Sequence, residues 1–311
     1  MNLEQLKAFE LVARLGSFSK AAKTAGLAQS LMSRKLSQLE EEWGDRLFHR
    51  TGRGVVLTEF GQRIQPHVQI LLAQADRLGD EVKNAAGVPT GTVHLGILPS
   101  LAREVVALLF SDMKATAPAV RLQITEGLSG QLDAQLASGR LDMVIVNRYG
   151  SSLGSEEELL GKVDSFVVGR PGASLLQGKT VDFRELAGVP LVLPAAPNGL
   201  RTFLEQVARQ QGIHLDVALE VNSVATMRTV AMSGDAFTIS SFPNVEKEVA
   251  GGNLQALMLV NPGICRTIAL SVTKQHPLSR AGRLVQSRLR QLVPALINDG
   301  IAVAKIHLDS L

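Results

Sequence analysis

The sequence is conspicuous first for what it lacks. Only one of its 311 residues is cysteine, Cys265. That excludes an intrachain disulfide, a multi-cysteine metal centre and a redox pair within one chain, and a lone thiol in apolar surroundings reads as a small core residue. No uninterrupted apolar run approaches the length of a membrane span, and MNLEQLKAFE lacks the charged start and apolar core of a signal peptide. The expected location is therefore the cytoplasm, with no membrane partner. His49, His67, His94, His214, His276 and His307 are scattered, with no spacing that would hold a metal. A G-x-S-x-G elbow, an H-E-x-x-H helix, a phosphate loop and a dinucleotide fingerprint are all missing, as are internal repeats and low-complexity tracts. The chain is expected to have no catalytic residues, no metal and no cofactor.

Net charge is also small, +3 with a pI near 9.1, which permits nucleic-acid binding without demanding it. Its placement says more. Lys7, Arg14, Lys20, Lys23, Arg34, Lys35, Arg46, Arg50 and Arg53 all fall in the first 53 residues of the chain. The acidic run Glu40, Glu41 and Glu42 interrupts them and is expected on a solvated face. A length of 311 residues favours two or more domains, and 45% hydrophobic content supplies their cores.

Within the basic region, Phe18, Ala21, Ala22 and Ala25 keep helical spacing behind a capping Ser17, and Gly26 supplies a turn. Leu31, Met32, Leu36 and Leu39 then give a second apolar stripe. It leaves Gln29, Ser30, Ser33, Arg34 and Lys35 on a polar, partly basic face that starts at the helix N-terminus. Amide and hydroxyl side chains matched to base edges, with cations nearby for phosphate, are what a DNA-reading helix needs, and the spacing fits a helix-turn-helix. The alternative is a helical hairpin with a solvated polar face. Leu3, Leu6, Phe9, Leu11, Val12 and Leu15 predict a supporting helix before it. Two short strands around Thr51-Gly52-Arg53-Gly54 predict a wing, with Arg50 and Arg53 placed to reach phosphate or the minor groove.

The stretch GSFSKAAKTAGLAQSLMSRKLSQLEEEWGDRLFHRTGRGVVLTEFG resembles the N-terminal winged helix-turn-helix of the LysR-type transcriptional regulators, through its A-A, Q-S-x-x-S-R, Q-L-E, R-L-F-x-R and L-T-x-x-G elements. Ala28 stands where that family often has a capping Ser or Thr, Ser30 where Pro is frequent, and Trp43 where Leu is usual. An uncapped recognition helix forfeits on the order of 1 kcal/mol unless Ser30 or a phosphate replaces the hydroxyl.

Thr58 predicts the start of a long helix to about Ala86. Ile64, Val68, Leu71, Ala75, Leu78 and Val82 follow coiled-coil spacing, with Pro66 expected to bend the first turns. So long an apolar seam points to dimerisation, the alternative being packing on the chain's own second domain. Gly87-Val88-Pro89-Thr90-Gly91 reads as a hinge. Beyond it, short apolar strands alternate with amphipathic helices in two series, predicting parallel α/β sheets in two lobes, with CRTIALSVTK and the helix Arg280 to Leu292 returning to the first. Met227 and Met232 are expected in the core.

Ligands of open α/β sheets collect beyond strand carboxyl ends, where helix N-termini present free amides. That rule selects Pro99, Ser100 and Leu101, the loop holding Gly127 and Ser129, Arg148, Asn198 and Ser223. Ser100, Ser129 and Arg148 would suit a carboxylate. Ser at a helix start is also an ordinary cap, and Arg148 also has Glu157 or Glu158 as surface partners.

The resemblance implies an N-terminal all-α winged helix-turn-helix (1–58), a linker and dimerisation helix (59–88), and an α/β effector domain of two lobes like those of periplasmic binding proteins. The lobes would comprise 91–162 with 267–300, and 163–266. The DNA contacts would be Ser17, Gln29, Ser30, Ser33, Arg34, Lys35, Arg50 and Arg53. The expected partners are double-stranded DNA, a small anionic effector, a second copy of the chain in a dimer and then a tetramer, and RNA polymerase. A solute-binding module with an N-terminal oligomerisation region, or a constitutive regulator without ligand, are the alternatives.

Overall fold

The computed structural model describes residues 1–52, 54–84, 88–150 and 153–309, and divides into two compact units, Met1–Gly91 and the remainder from Thr92. In the first unit, helix α1 (Leu3–Leu15) is capped by Asn2 and closed by Gly16 in the left-handed conformation. Helix α2 (Phe18–Ala25) follows under the Ser17 cap, and Gly26, at φ 66°, turns the chain into α3 (Gln29–Trp43). Phe9, Ala21, Met32, Leu36 and Leu39 form the centre of this unit's core.

Strands β1 (Phe48–Thr51) and β2 (Gly54–Leu57) pair antiparallel as the expected wing. Gly54 is required there: a Cβ would stand 2.3 Å from the Gly16 carbonyl, which accepts the Val55 amide at 2.9 Å. The wing is thus laced to the end of α1.

Helix α4 (Glu59–Asn84) starts under Thr58, whose Oγ1 accepts the Gly61 amide, and continues through Pro66. Its seam divides. Ile64 and Val68 pack into the core of the same unit, whereas Leu71 and Leu78 are 40% and 69% exposed. Only the outer half of the seam is left for another chain. Val82 and the hinge's Gly87 lie outside the residues whose side chains are described.

The second unit opens with β3 (Gly91–Ile97), α5 (Pro99–Thr116), β4 (Val120–Glu126), α6 (Ser129–Ala137) and β5 (Met143–Tyr149). Next come β6 (Glu158–Gly169), β7 (Thr180–Asp182), β8 (Pro190–Leu193), α7 (Gly199–Gln211), β9 (Asp216–Glu220) and α8 (Val224–Ser233). It ends with β10 (Thr238–Ser241), α9 (Glu246–Ala250), β11 (Gln255–Val260), β12 (Cys265–Val272) and α10 (Arg280–Asp309).

The expected parallel sheets are mixed instead. Strand order is β4-β3-β5-β12-β6-β11-β7, with β10 also on β6 and a separate β8-β9 pair. β3–β5 and β8–β9 are parallel, but β12 runs antiparallel to both β5 and β6, and β10 and β11 run antiparallel to β6. Only residues 261–264 join β11 to β12, too few for the crossover helix that a parallel insertion between β5 and β6 would need. Strand β6 is longer than its apolar end SFVVG suggests: Glu158 to Asp164 pair with β12, while Ser165 to Gly169 pair with β10 and β11. One strand thus serves both lobes.

Each lobe has its own core. Val93, Leu95, Leu109, Ile145, Ile268 and Val285 lie at the centre of one, and Leu186, Leu191, Leu204, Ile239 and Leu257 at that of the other. α10 outruns the expected Leu292 end because Val293 and Ile297, on either side of Pro294, are also buried in the first core.

Candidate functional site

The recognition helix α3 presents Gln29, Ser30 and Arg34 to solvent, with Ser33 and Lys35 half-buried at the edge of that face. Its N-cap, Ala28, makes no side-chain hydrogen bond, so the first-turn amides have no side-chain cap. Among the described residues neither Ser30 nor any other side chain replaces the missing hydroxyl. Ser17 is spent on its own helix, its Oγ accepting the Lys20 amide at 3.3 Å. Gln29 is steadied by Ser19, whose hydroxyl donates to Oε1 at 2.7 Å.

Three sequence expectations need correction here. Leu31, grouped with the apolar stripe, is 41% exposed on the outer face. Lys35 leans away to Glu4, 3.4 Å from its carboxylate. Glu40 is not simply solvated, since its Oε1 accepts the Leu47 amide at 2.8 Å and so ties α3 to the wing. Arg50 is exposed on β1, and Arg53 lies outside the described residues.

Between the lobes of the second unit lies a cavity of about 840 Å³. Helices α5, α6, α7 and α8 all begin at its wall, through Pro99 and Ser100, Ser129, Gly199 and Val224. They differ in how their ends are closed. Asn198 caps α7, accepting the Leu200 amide at 3.0 Å, and Ser223 caps α8, accepting that of Thr226 at 3.2 Å. α5 and α6 follow Leu98 and Leu128, whose side chains cannot cap; at α6 the Leu128 amide itself is met by Gln131 Oε1 at 3.2 Å, and the first-turn amides beyond it have no capping side chain among the described residues. These two ends carry the partial positive charge that favours an anion.

Of the residues selected from sequence, Pro99, Ser100, Ser129, Arg148 and Asn198 line this cavity, and Leu101, Gly127 and Ser223 do not. Leu101 faces a smaller cavity, Gly127 packs against Gln131 and Leu132, and the Ser223 hydroxyl is consumed as a cap. Met227 is 7% exposed, as expected of a core residue, but it also forms part of the cavity wall.

Arg148 is not a free clamp. Its guanidinium holds Asp133 bidentately at 2.9 and 3.0 Å, and its Nε donates to Glu157 at 2.9 Å. Burial disfavours the Arg148 charge, but the hydrogen bonds to Asp133 and Glu157 outweigh it and hold the group firmly protonated. Glu157 in turn sits below the ordinary carboxyl range because of the Arg148 hydrogen bond, which prevails over its burial.

Sequence reading missed Arg266, at the head of β12. It lines the cavity floor, is 9% exposed, and donates from Nη2 to Ser241 Oγ at 2.9 Å. Tyr149 and Asn147 stand beside it. Burial pushes the Tyr149 phenol up, although Arg266 and Asn147 pull the other way, so the phenol stays protonated. The available signal was a lone arginine in an otherwise apolar and small-residue strand, CRTIALSV. A second cavity, about 120 Å³ and walled by Val105, Val163, Phe166, Met258 and Val293, shares Ser100, Asn244 and Arg266 with the large one. Cys265 lines neither of these two cavities, and burial first, then Asp164, raises its thiol.

Among the described residues no group of three or more His, Cys, Asp and Glu could hold a metal ion, and no helix is long and apolar enough to cross a membrane.

The sequence matches the bacterial regulatory helix-turn-helix protein, lysR family, over residues 3–62 and the LysR substrate binding domain over residues 86–294. Among curated proteins it is 27% identical to the HTH-type transcriptional regulator BbuR of Bordetella bronchiseptica, covering 96% of this chain and 92% of that one. It is 26% identical to the nitrogen assimilation regulatory protein nac of Klebsiella aerogenes, covering 96% and 98%. In fold it is similar to a full-length OxyR variant from Pseudomonas aeruginosa, with a TM-score of 0.68, 21% identity and coverage of 94% and 98%. It is also similar to full-length CbnR complexed with its target DNA, at 0.67, 20%, 94% and 99%. With a DNA-reading head at one end and a ligand-binding domain over most of its length, the chain belongs to the LysR family of transcriptional regulators and is not an enzyme.

Proposed function

We propose that this regulator is switched by a small anionic, carboxylate-type effector held between the two lobes of its substrate-binding domain. The observation that carries this reading is the 840 Å³ cavity onto which α5 and α6 open without side-chain caps. Pro99, Ser100, Ser129 and Asn198 form the polar rim, and Arg148, already paired, orders the α6 side of it. Leu101, Gly127 and Ser223 support these contacts from behind.

In this reading residues 1–58 are the DNA-binding domain and 59–88 the linker. Residues 91–162 with 267–300 form one effector lobe, and 163–266 the other. Gln29, Ser33 and Arg34 read bases, while Ser30, Arg50 and Arg53 serve the backbone and the groove edges, joined by the Ser17 hydroxyl proton, which its capping role leaves available, and by Lys35 once it releases Glu4. The exposed Leu71 and Leu78 of α4 pair the heads of a dimer, and two dimers make a tetramer in the cytoplasm that addresses RNA polymerase from its operator. Effector binding changes lobe closure and with it the spacing of the heads, a coupling typically worth about 1–3 kcal/mol.

The test is a mobility-shift titration on operator DNA selected with the wild-type chain. Gln29→Ala and Arg34→Ala are expected to weaken specific binding, and Ser129→Ala to leave it intact while blunting the response to carboxylates. Unchanged specific binding in both head variants would exclude the assignment of the recognition face.

A further inference from the structure

The charges around the interlobe cavity do not balance locally, and the imbalance has one address. Asp133, Arg148 and Arg266 are the charged residues on its wall. Arg148 is saturated by Asp133 and by Glu157 behind it. Arg266 appears in none of the ion pairs among the described residues. Its partners are neutral, the Ser241 hydroxyl and the Tyr149 phenol, and its Nε is buried without any hydrogen bond.

A guanidinium withdrawn from water without a counter-ion is strongly unfavourable, and such groups are found paired. The smaller cavity on its other side is lined by Glu104 and Asp164 as well as by apolar side chains, but neither carboxylate comes within ion-pair distance of the Arg266 guanidinium. Nearby, Asn147 Oδ1 is also buried without a partner and faces the same cavity.

We infer that Arg266 is the charge-reading residue of the effector site and that the effector is a monoanion, a single carboxylate on an otherwise uncharged body. The Nε and Nη2 of a guanidinium form one edge of the fork, the geometry that takes a carboxylate side-on. Ser241 fixes one end of that edge and leaves Nε for a ligand oxygen. The protonated Tyr149 phenol is a neutral neighbour that does not repel an anion, and Asn147 meets a polar substituent. A second carboxylate on the ligand would find no free cation, because Arg148 is already paired twice. Leu200, Phe203 and Met227 supply an apolar wall for the uncharged remainder.

This inference rests on the interlobe reading of the effector site and narrows it to one residue and one charge. The full-length chain is titrated, with thermal melting and calorimetry as readouts, against two matched probe sets: benzoate, benzamide and phthalate, and butyrate, butyramide and succinate. The expected result is stabilisation by a monocarboxylate and little by its amide or dianion. Arg266→Met should weaken that binding by about tenfold to a hundredfold, the range for hydrogen bonds to a charged group, with Arg266→Lys in between.

Ligand-free Arg266→Met should melt no lower than wild type and still shift operator DNA, since the substitution removes an uncompensated charge. Melting well below wild type would make Arg266 a structural strut and overturn the inference. Undiminished carboxylate binding in Arg266→Met, with weakening in Ser129→Ala, would also overturn it while leaving the interlobe reading in place. No response of wild type to any carboxylate in either set would overturn both.

Discussion

Arg34 and Arg266 are the same residue type used in opposite ways. Arg34 stands on a helix face beside solvent, one of several cations in the head. Arg266 is buried on a cavity floor with neutral partners and an unpaired Nε. An exposed cation is hydrated and screened, so the head gains affinity for a polyanion by number and placement. A buried one acts alone, and its strength comes from the absence of competing water. On the effector site proposed above, the two units would recognise negative charge by different physics.

The contrast is sharpest in salt. Operator binding should fall about a thousandfold between about 50 and 200 mM salt, whereas carboxylate binding in the cavity should change only a few-fold over the same range, both read by titration. A steep salt slope for the carboxylate would erase the distinction.

A second large effect separates the units by stability. Leu36 is 2% exposed in the core of the head, and Leu36→Ala should cost it about 2–5 kcal/mol. Calorimetry should show the head's transition moving down while that of the effector unit stays. Next, Arg34→Ala should lower specific DNA affinity by about 1–3 kcal/mol and reduce discrimination between operator and random DNA, measured by competition in mobility shifts. It should leave the carboxylate response of the effector unit untouched.

The smallest effect is one of pH. Glu157 is held below its ordinary value of 4.5 by the Arg148 hydrogen bond. Its contribution is therefore complete above that value and is lost as pH falls through the depressed folded-state value. The melting temperature of Glu157→Gln should lie below that of wild type at pH 7, and the gap should close as the pH is lowered beneath about 4.5.

The two units were unequally legible in the sequence. The head could be read because its signals are local: helical spacing, the Gly26 turn and the Ser17 cap all act within a few residues, and the basic cluster is contiguous. The division of the α4 seam could not be read, since only packing shows that Ile64 and Val68 are taken by the core beneath while Leu71 and Leu78 are left over. In the effector unit the alternation of strands and helices predicted lobes, and strand ends predicted loops at the cavity. Strand direction was misread because alternation alone does not reveal that β12 enters between β5 and β6 without a crossover helix. Arg148 drew attention by its place at the end of a strand, yet its charge is consumed by Asp133, which lies in helix α6. Arg266 was passed over because neither its burial nor its register opposite Tyr149 is written locally.

Strand β6 carries one more consequence. Its 12 residues are hydrogen-bonded to one lobe at the start and to the other at the end, and the Ser165 amide bonds Ile264 at 2.9 Å where the two halves meet. The ladder passes from lobe to lobe without a gap there, so the lobes do not meet at a slack joint like the leaves of a book. They share a ribbon, and a ribbon yields by torsion. Ligand-driven closure would then wind this strand by small increments along its length, making the answer to a bound molecule a graded strain rather than a swing between stops.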